Sequence, residues 1–439
     1  MYRKQTLLWF ILGLCSKLQV IASLSVTEII VLSAAPFIFL KNHEQMKRDG
    51  VMPLFILSLL VILGCAIASY ANHTPPEAVL RGMAVTCIVS CSVVVSHWML
   101  RRDPGGFKWF VLAAAISSIL STFIFQTAVD VSMYGENAED IMNGPIYWIS
   151  RISNVVMVPV KGWYLHTPTS VCALIPLFVA LFSLLTSVSG RSAALGALGF
   201  VALVLIGGKS RKAISRISRN FGIICGIGVL LIGLFYVGYK FSASQGLLGE
   251  EALQKYEAQT HGGQGGIGRL ILGGRGDSFI GLLACRDKPI IGWGPWALDT
   301  MGYTEEFLTR FGTYEDVVSV YKVDSNLRNS GNTARLIHCH AYITEFWVWY
   351  GLWGLVFWIY VIFVLLRYLK QDVAAVPQWY AWLACSIPGM SWGIFFSPFA
   401  DRFGIPLFIV ACLMARAVRL GSFQLPSEMI LEIEKAERK

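Results

Sequence analysis

Charge is scarce in this sequence. Of 439 residues only 14% are Asp, Glu, Lys or Arg, against about 25% in a soluble domain. Hydrophobic residues make up 55%, and mean hydropathy is +0.59. Together these exclude an ordinary water-soluble fold. No Asp-x-Asp pair occurs, which argues against a metal-bound nucleotide-sugar site. P-loop and His-Glu-x-x-His motifs are missing too. Histidine is rare, seven in all. Cysteine offers no framework: most of the ten lie inside apolar runs, where they behave as small hydrophobes. Cys285 and Cys339 lie outside the clear runs, but little in the sequence supports a disulfide between them.

What is present is a series of long apolar runs. They read at about 7–23, 26–40, 51–70, 80–100, 107–129, 169–188, 192–207, 221–241, 341–365, 377–397 and 403–419. A run of about 20 apolar residues spans a bilayer as a helix, because lipid leaves the backbone no other hydrogen-bond partner. The first run leads straight into the second with no A-x-A-like site, so no cleavable signal peptide is expected.

The net charge of +9 does not point to nucleic acid. Basic residues gather in short loops: Lys41, Lys47 and Arg48; Arg101, Arg102 and Lys108; Lys209 to Arg219; Arg367 and Lys370; Arg416 and Arg419. That is the positive-inside pattern of an inner membrane protein, with lipid headgroups as partners. An even number of crossings must separate the basic loops at 101–108 and 209–219, yet only three clear runs lie there. The fourth is placed in Ile146–Leu165, whose Arg151 and Lys161 can snorkel to the interfaces. The expectation is an all-α polytopic membrane protein of about twelve helices with both termini inside.

Parity then puts residues 243–337 outside as one large loop, periplasmic in the family reading given below. It separates N-terminal helices (1–242) from C-terminal ones (338–420), and 421–439 form a cytoplasmic tail, read as a solvated end. The loop balances its charges and carries many aromatics, which suits a folded cap. Its stretch HGGQGGIGRLILGGRG, His261 to Gly276, is a hinge or a backbone able to approach a phosphate.

Several external residues can carry chemistry. Arg191 lies between two spans, at a face where the charge rule disfavours arginine. Arg269 and Arg275 lie in the loop, and His338 and His340 stand where it returns to the membrane. Each has a plainer reading. Arg191 can cap a helix or meet a lipid phosphate, Arg275 can pair with Asp277, and either histidine can serve a helix end. A helix or pre-helix turn is expected at the histidines, where residues two apart diverge by about 200°. No third ligand is apparent for a zinc ion. Read together, arginines hold a pyrophosphate, and a histidine takes a proton from an acceptor hydroxyl. That combination is a transferase needing neither metal nor cofactor.

At these residues the chain resembles the bacterial O-antigen ligase family, within the superfamily that includes O-antigen polymerases and protein O-oligosaccharyltransferases. The family's Ser-Gly-Ser-Arg-like hallmark reads Ser189-Gly190-Arg191-Ser192 here, with the last two swapped. Its loop arginine followed by P-x-x-G-x-G reads Arg275, then Pro289-Ile290-Ile291-Gly292-Trp293-Gly294. Its histidine, polar residue, nine residues and Gly-x-x-Gly read His340, Ala341, Tyr342–Tyr350 and Gly351-Leu352-Trp353-Gly354, with Ala341 in the polar place. The resemblance implies a GT-C-like membrane fold and an inverting, metal-independent glycosyltransferase. The donor would be undecaprenyl-pyrophosphate-linked O-antigen and the acceptor lipid A–core oligosaccharide. It implies catalysis by His338 or His340, pyrophosphate binding by Arg191, Arg275 and Arg269, and helix approach at Gly351 and Gly354. Polymerase, protein O-glycosylation and a lipid-linked glycan transporter stay open as alternatives.

Overall fold

The computed structural model describes residues 2–117, 276–311 and 336–430, apart from scattered positions within them, and isolated residues at 237, 241 and 245. The described residues are predominantly helical. Ten α-helices run as α1 (Tyr2–Cys15), α2 (Val26–Arg48), α3 (Met52–Ala71), α4 (Pro76–Arg102), α5 (Gly276–Asp287), α6 (Tyr303–Phe311), α7 (Tyr342–Tyr350), α8 (Leu352–Arg367), α9 (Pro377–Phe396) and α10 (Gly404–Arg419). A π-helical turn, Tyr368–Asp372, extends α8.

Three of these helices are long and apolar enough to cross a membrane: α3, α4, and α8 with its π turn. The chain is a multi-pass membrane protein of helical type. Helix α3 argues it most plainly. Leu54, Ser58, Val61, Cys65 and Ala68 are buried, while Ile56, Leu59, Leu63 and Ile67 on the opposite face stay exposed. A helix apolar all round belongs in a core or in lipid, and here the second stripe has only lipid to meet. On α8, Ile359, Phe363 and Leu366 repeat the pattern. The runs expected at 107–129, 146–165, 169–188, 192–207 and 221–241 lie wholly or mostly outside the described residues.

Two expected spans differ from what the chain does. The run at 7–23 ends as a helix at Cys15 and continues into an antiparallel hairpin, β1 (Gln19–Ile21) with β2 (Leu24–Ser25). Fourteen helical residues reach about 21 Å at 1.5 Å each, short of a hydrocarbon core of about 30 Å. Polar side chains stop the helix: Ser16 Oγ donates to Gly13 O at 2.7 Å, and Thr27 Oγ1 takes Leu12 O. The run at 341–365 is two helices broken at Gly351, which has φ 63° and ψ −145°.

Local chemistry sets the other ends. Ser25 and Glu28 form a reciprocal capping box at the start of α2, Ser25 N donating to Glu28 Oε2 at 2.7 Å and Glu28 N to Ser25 Oγ at 3.3 Å. Prolines open α3 and α4, where a missing N–H is harmless. Helices α2, α4, α8 and α10 finish on basic residues, in accord with the helix dipole. The main core gathers Trp9, Val31, Val93, Phe346, Trp358 and Leu413, all at most 2% exposed. A second, smaller core joins α5 and α6 to α7 through Ile280, Ala284, Tyr303, Phe307, Ile337 and Val348.

Candidate functional site

The segment Pro289–Gly294 follows α5 and lies against the α7–α8 break. Trp293 N donates to Val348 O at 2.6 Å, and Leu352 N to Ile290 O at 2.9 Å. Trp347 Nε1 donates to Pro289 O at 2.8 Å. The break thus exposes backbone groups that the helices no longer use, and this segment takes them up. Only glycine permits it. A Cβ on Gly351 would stand 2.0 Å from Ile290 O, and one on Gly292 2.5 Å from Gly351 N. Both residues also have positive φ, 63° and 82°. A Cβ on Gly354 would meet Phe346 O at 2.1 Å, and one on Gly64 of α3 would meet Tyr350 O at 2.7 Å. The glycines expected to bring helices together therefore serve close approach. At Gly351 what approaches is the loop segment rather than a helix.

The α3–α4 turn closes over the same segment. Asn72 Nδ2 donates to Gly292 O at 3.0 Å, and a Cβ on Gly294 would stand 2.4 Å from Thr74 Oγ1. Lys288 Nζ donates to Asn72 Oδ1 and lies 3.8 Å from the Trp293 ring centroid, a cation held by an amide and an aromatic face. Trp293 is fixed in turn by its Nε1 bond to Ala284 O at 2.9 Å.

The approach to the membrane is pinned to this assembly. Leu336 bridges Leu298 in antiparallel fashion, and Ile337 N donates to Ala297 O at 2.8 Å. Ile337, Cys339 and Ala341 are buried at 4%, 8% and 1% exposure. Ala341 is extended, with φ −151° and ψ 135°, and the helix begins only at Tyr342. The helix or pre-helix turn expected at the histidines falls on residues outside those described. Cys285 is a free, buried thiol, so no disulfide joins it to Cys339. Burial pushes the Cys285 thiol well above its ordinary pKa.

Charged groups gather at the same ends of α2, α7 and α10. Glu345, on the first turn of α7, accepts a hydrogen bond from Phe399 N at 3.0 Å. Arg402 Nε stands 3.6 Å from Glu28 Oε1, with its side chain 17% exposed. Asp401 Oδ1 accepts from Gly404 N at 2.7 Å. The sequence reading singled out none of Lys288, Asn72, Glu345, Glu28 or Arg402. Lys288 had a signal, since it immediately precedes the P-x-x-G-x-G segment. Glu345 had a weaker one, an acid in the first turn of a helix. Asn72 and Arg402 join the site only through tertiary packing.

Arg191, Arg269, Arg275, His338 and His340 all lie outside the described residues. What the described residues bring together are two of the three motif neighbourhoods: the segment after Arg275, and the Gly351–Gly354 step after the histidines. They contain no cluster of three or more His, Cys, Asp or Glu suited to a metal.

In comparison with known proteins, no family model matches this chain, and no curated protein matches it.

Proposed function

We propose that this chain is an inverting glycosyltransferase of the bacterial inner membrane that transfers O-antigen polysaccharide from undecaprenyl pyrophosphate to lipid A–core oligosaccharide. The observation that carries the reading is the interlock of Pro289–Gly294 with the Gly351 break. Two sequence motifs separated by more than fifty residues in the chain meet through backbone contacts that tolerate only glycine. A scaffold of that kind suits a site that must hold its geometry while two lipid-borne substrates come and go.

The chemistry follows from the residue types. Arg191, Arg275 and Arg269 bind the donor pyrophosphate and neutralise the charge that develops as it leaves. His338 or His340 accepts the proton of the acceptor hydroxyl. The hydroxyl oxygen forms the new glycosidic bond as the bond from the anomeric carbon to the pyrophosphate oxygen breaks, which inverts the anomeric centre. Undecaprenyl pyrophosphate departs with the electron pair. Both histidines stay candidates for that base. The full reading takes a many-helix bundle with a periplasmic site, one span fewer than the expected twelve because α1 is too short to cross. The basic ends of α2, α4, α8 and α10 support the topology.

A reconstituted transfer assay tests the reading. Purified protein is mixed with undecaprenyl-pyrophosphate-linked glycan and truncated lipid A–core, and wild type is compared with His338→Ala, His340→Ala, Arg191→Ala and Arg275→Ala. Glycan on lipid A is expected, with at least a hundredfold loss on removing the general base and survival in strong chelator. Longer lipid-linked glycan instead identifies a polymerase, and glycan on a protein hydroxyl a protein O-oligosaccharyltransferase. No product with intact donor binding identifies a transporter.

A further inference from the structure

The end of α8, its π turn and the last turn of α10 form a cluster in which positive charge exceeds negative. Arg367 closes α8, and Arg416 and Arg419 lie in the last turn of α10. One carboxylate faces them, that of Asp372, 2% exposed. Arg419 Nε donates to Asp372 Oδ1, and Arg419 Nη2 to Gln371 Oε1 at 3.4 Å. Arg367 Nε is 4.0 Å from Asp372 Oδ2, too far for a hydrogen bond. Arg416 has no ion pair among the described residues. The Nε atoms of Arg367 and Arg416 are shut from solvent, and neither has a hydrogen-bond partner among the described residues. These Nε atoms are closed to a phosphate as well as to water; the Nη ends of Arg367 and Arg416, which make no hydrogen bond among the described residues, are the part that an outside acceptor can reach. Asp372 is already taken by Arg419.

The surroundings identify the acceptor. Phe363 and Leu366 on α8 are 54% and 50% exposed, and Leu420, just past α10, is 58% exposed. These apolar side chains mark the hydrocarbon edge beside the arginines. The basic loops put this end in the cytoplasmic leaflet. A group that brings phosphate oxygens to guanidinium forks at the rim of the hydrocarbon is a lipid headgroup. We propose that Arg367, Arg416 and Arg419, set around Asp372 by the π turn, form a binding site for the phosphate of an anionic glycerophospholipid in the cytoplasmic leaflet. The site stands apart from the transfer chemistry, and its case does not rest on that reading.

The test uses the full-length protein, delipidated in neutral detergent and titrated with phosphatidylglycerol or phosphatidylcholine, with bound lipid counted by native mass spectrometry. Phosphatidylglycerol is expected to bind more tightly than phosphatidylcholine. Arg416→Gln is expected to weaken phosphatidylglycerol binding about tenfold, as for one lost charge-assisted pair, while phosphatidylcholine binding and the unfolding temperature in phosphatidylcholine stay as in wild type. Equal affinity for the two lipids overturns the proposal. So does an equal loss for both in the variant, which marks a structural role. Saturation by millimolar inorganic phosphate, with no gain from the acyl chains, assigns the site to a soluble anion and overturns the lipid assignment. If Arg416→Gln does not fold, Arg367→Gln is put through the same comparison.

Discussion

The two ends of the bundle differ in what holds them. At the end that carries Pro289–Gly294, that segment is joined to the helix break backbone to backbone, and glycine makes it possible, with the Arg402–Glu28 pair beside it. At the other end the joints are buried carboxylates held by cations. Asp49, with its side chain fully buried, accepts from Arg101 Nη1 at 2.5 Å and meets His97 Nε2 at 2.8 Å. Asp372 takes Arg419 in the same way. Backbone joints fix shape to a fraction of an ångström and carry no net charge. Charged joints also anchor, but they orient the chain across the membrane at the same time. Under the proposed transfer reaction, the face that would handle two bulky lipid-linked glycans needs the former, and the opposite face can use the latter.

The comparison breaks most sharply at Gly351. Gly351→Ala places a Cβ 2.0 Å from Ile290 O at φ 63° and ψ −145°, a region nearly closed to other residues. The expected cost is about 4 kcal/mol or more, seen as a large fall in unfolding temperature in micelles and loss of transfer. Gly50 is the control. It has φ 74° with nothing within 4 Å of the added Cβ, so Gly50→Ala should cost only about 1–2 kcal/mol. Equal effects at the two positions would mean that conformation, not the interlock, is what Gly351 supplies.

Next in size is Asp49→Ala. It leaves Arg101 without its carboxylate and takes from buried His97 the hydrogen bond at Nε2. Breaking a buried pair from one side costs about 3 kcal/mol, read as a lower unfolding temperature with transfer retained in the folded fraction. A neutral result would reduce the cytoplasmic carboxylates to topology signals. Trp347→Phe is smaller. It deletes the Nε1 bond to Pro289 O and keeps most of the ring, so about 1 kcal/mol is expected. A reduced transfer rate at full substrate binding would tie that bond to the geometry of the site.

These sites also mark what the sequence made legible. The apolar runs at 51–70 and 80–100 became α3 and α4, because nothing but lipid suits a helix of that composition. The run at 341–365 was legible as apolar but not as broken. Gly351 carries a turn only because Ile290 and Ile291 arrive from far along the chain to use the space, and hydropathy holds no trace of that contact. Likewise 7–23 read as one span, while its ending depends on Thr27 reaching back to Leu12. Motif spacing pointed to Pro289–Gly294 and Gly351–Gly354 separately. That they touch is tertiary information. So is the Asp49–His97–Arg101 cluster, of which the sequence singled out only Arg101, as one more basic loop residue.

The smallest effect expected lies in the loop itself. Asp287 accepts from Arg286 Nε at 2.9 Å and from Tyr303 Oη at 2.7 Å, and Glu306 accepts from Arg286 at 3.1 Å. These bonds tie the end of α5 to α6. The guanidinium of Arg286, ahead of the Tyr303 hydroxyl, lowers the Asp287 pKa below its ordinary 3.8, and Arg286 lowers that of Glu306 below 4.5. A carboxylate with a depressed folded pKa stabilises above its unfolded value, and the benefit fades as pH falls through the folded one. The α5–α6 pairing should therefore hold at neutral pH and loosen only below pH 4.5, then 3.8. Solvent and salt screen exposed pairs, so the change should be local and reduced in high salt. Hydrogen exchange over residues 276–311 between pH 6 and pH 3, corrected for the intrinsic rate, reads it directly. If protection in α5 and α6 instead falls together with that in α7, the loop carries no separate electrostatic tie. Its order would then come from the shared core of Ile280, Phe307 and Val348, and the backbone interlock would hold the whole external end by itself.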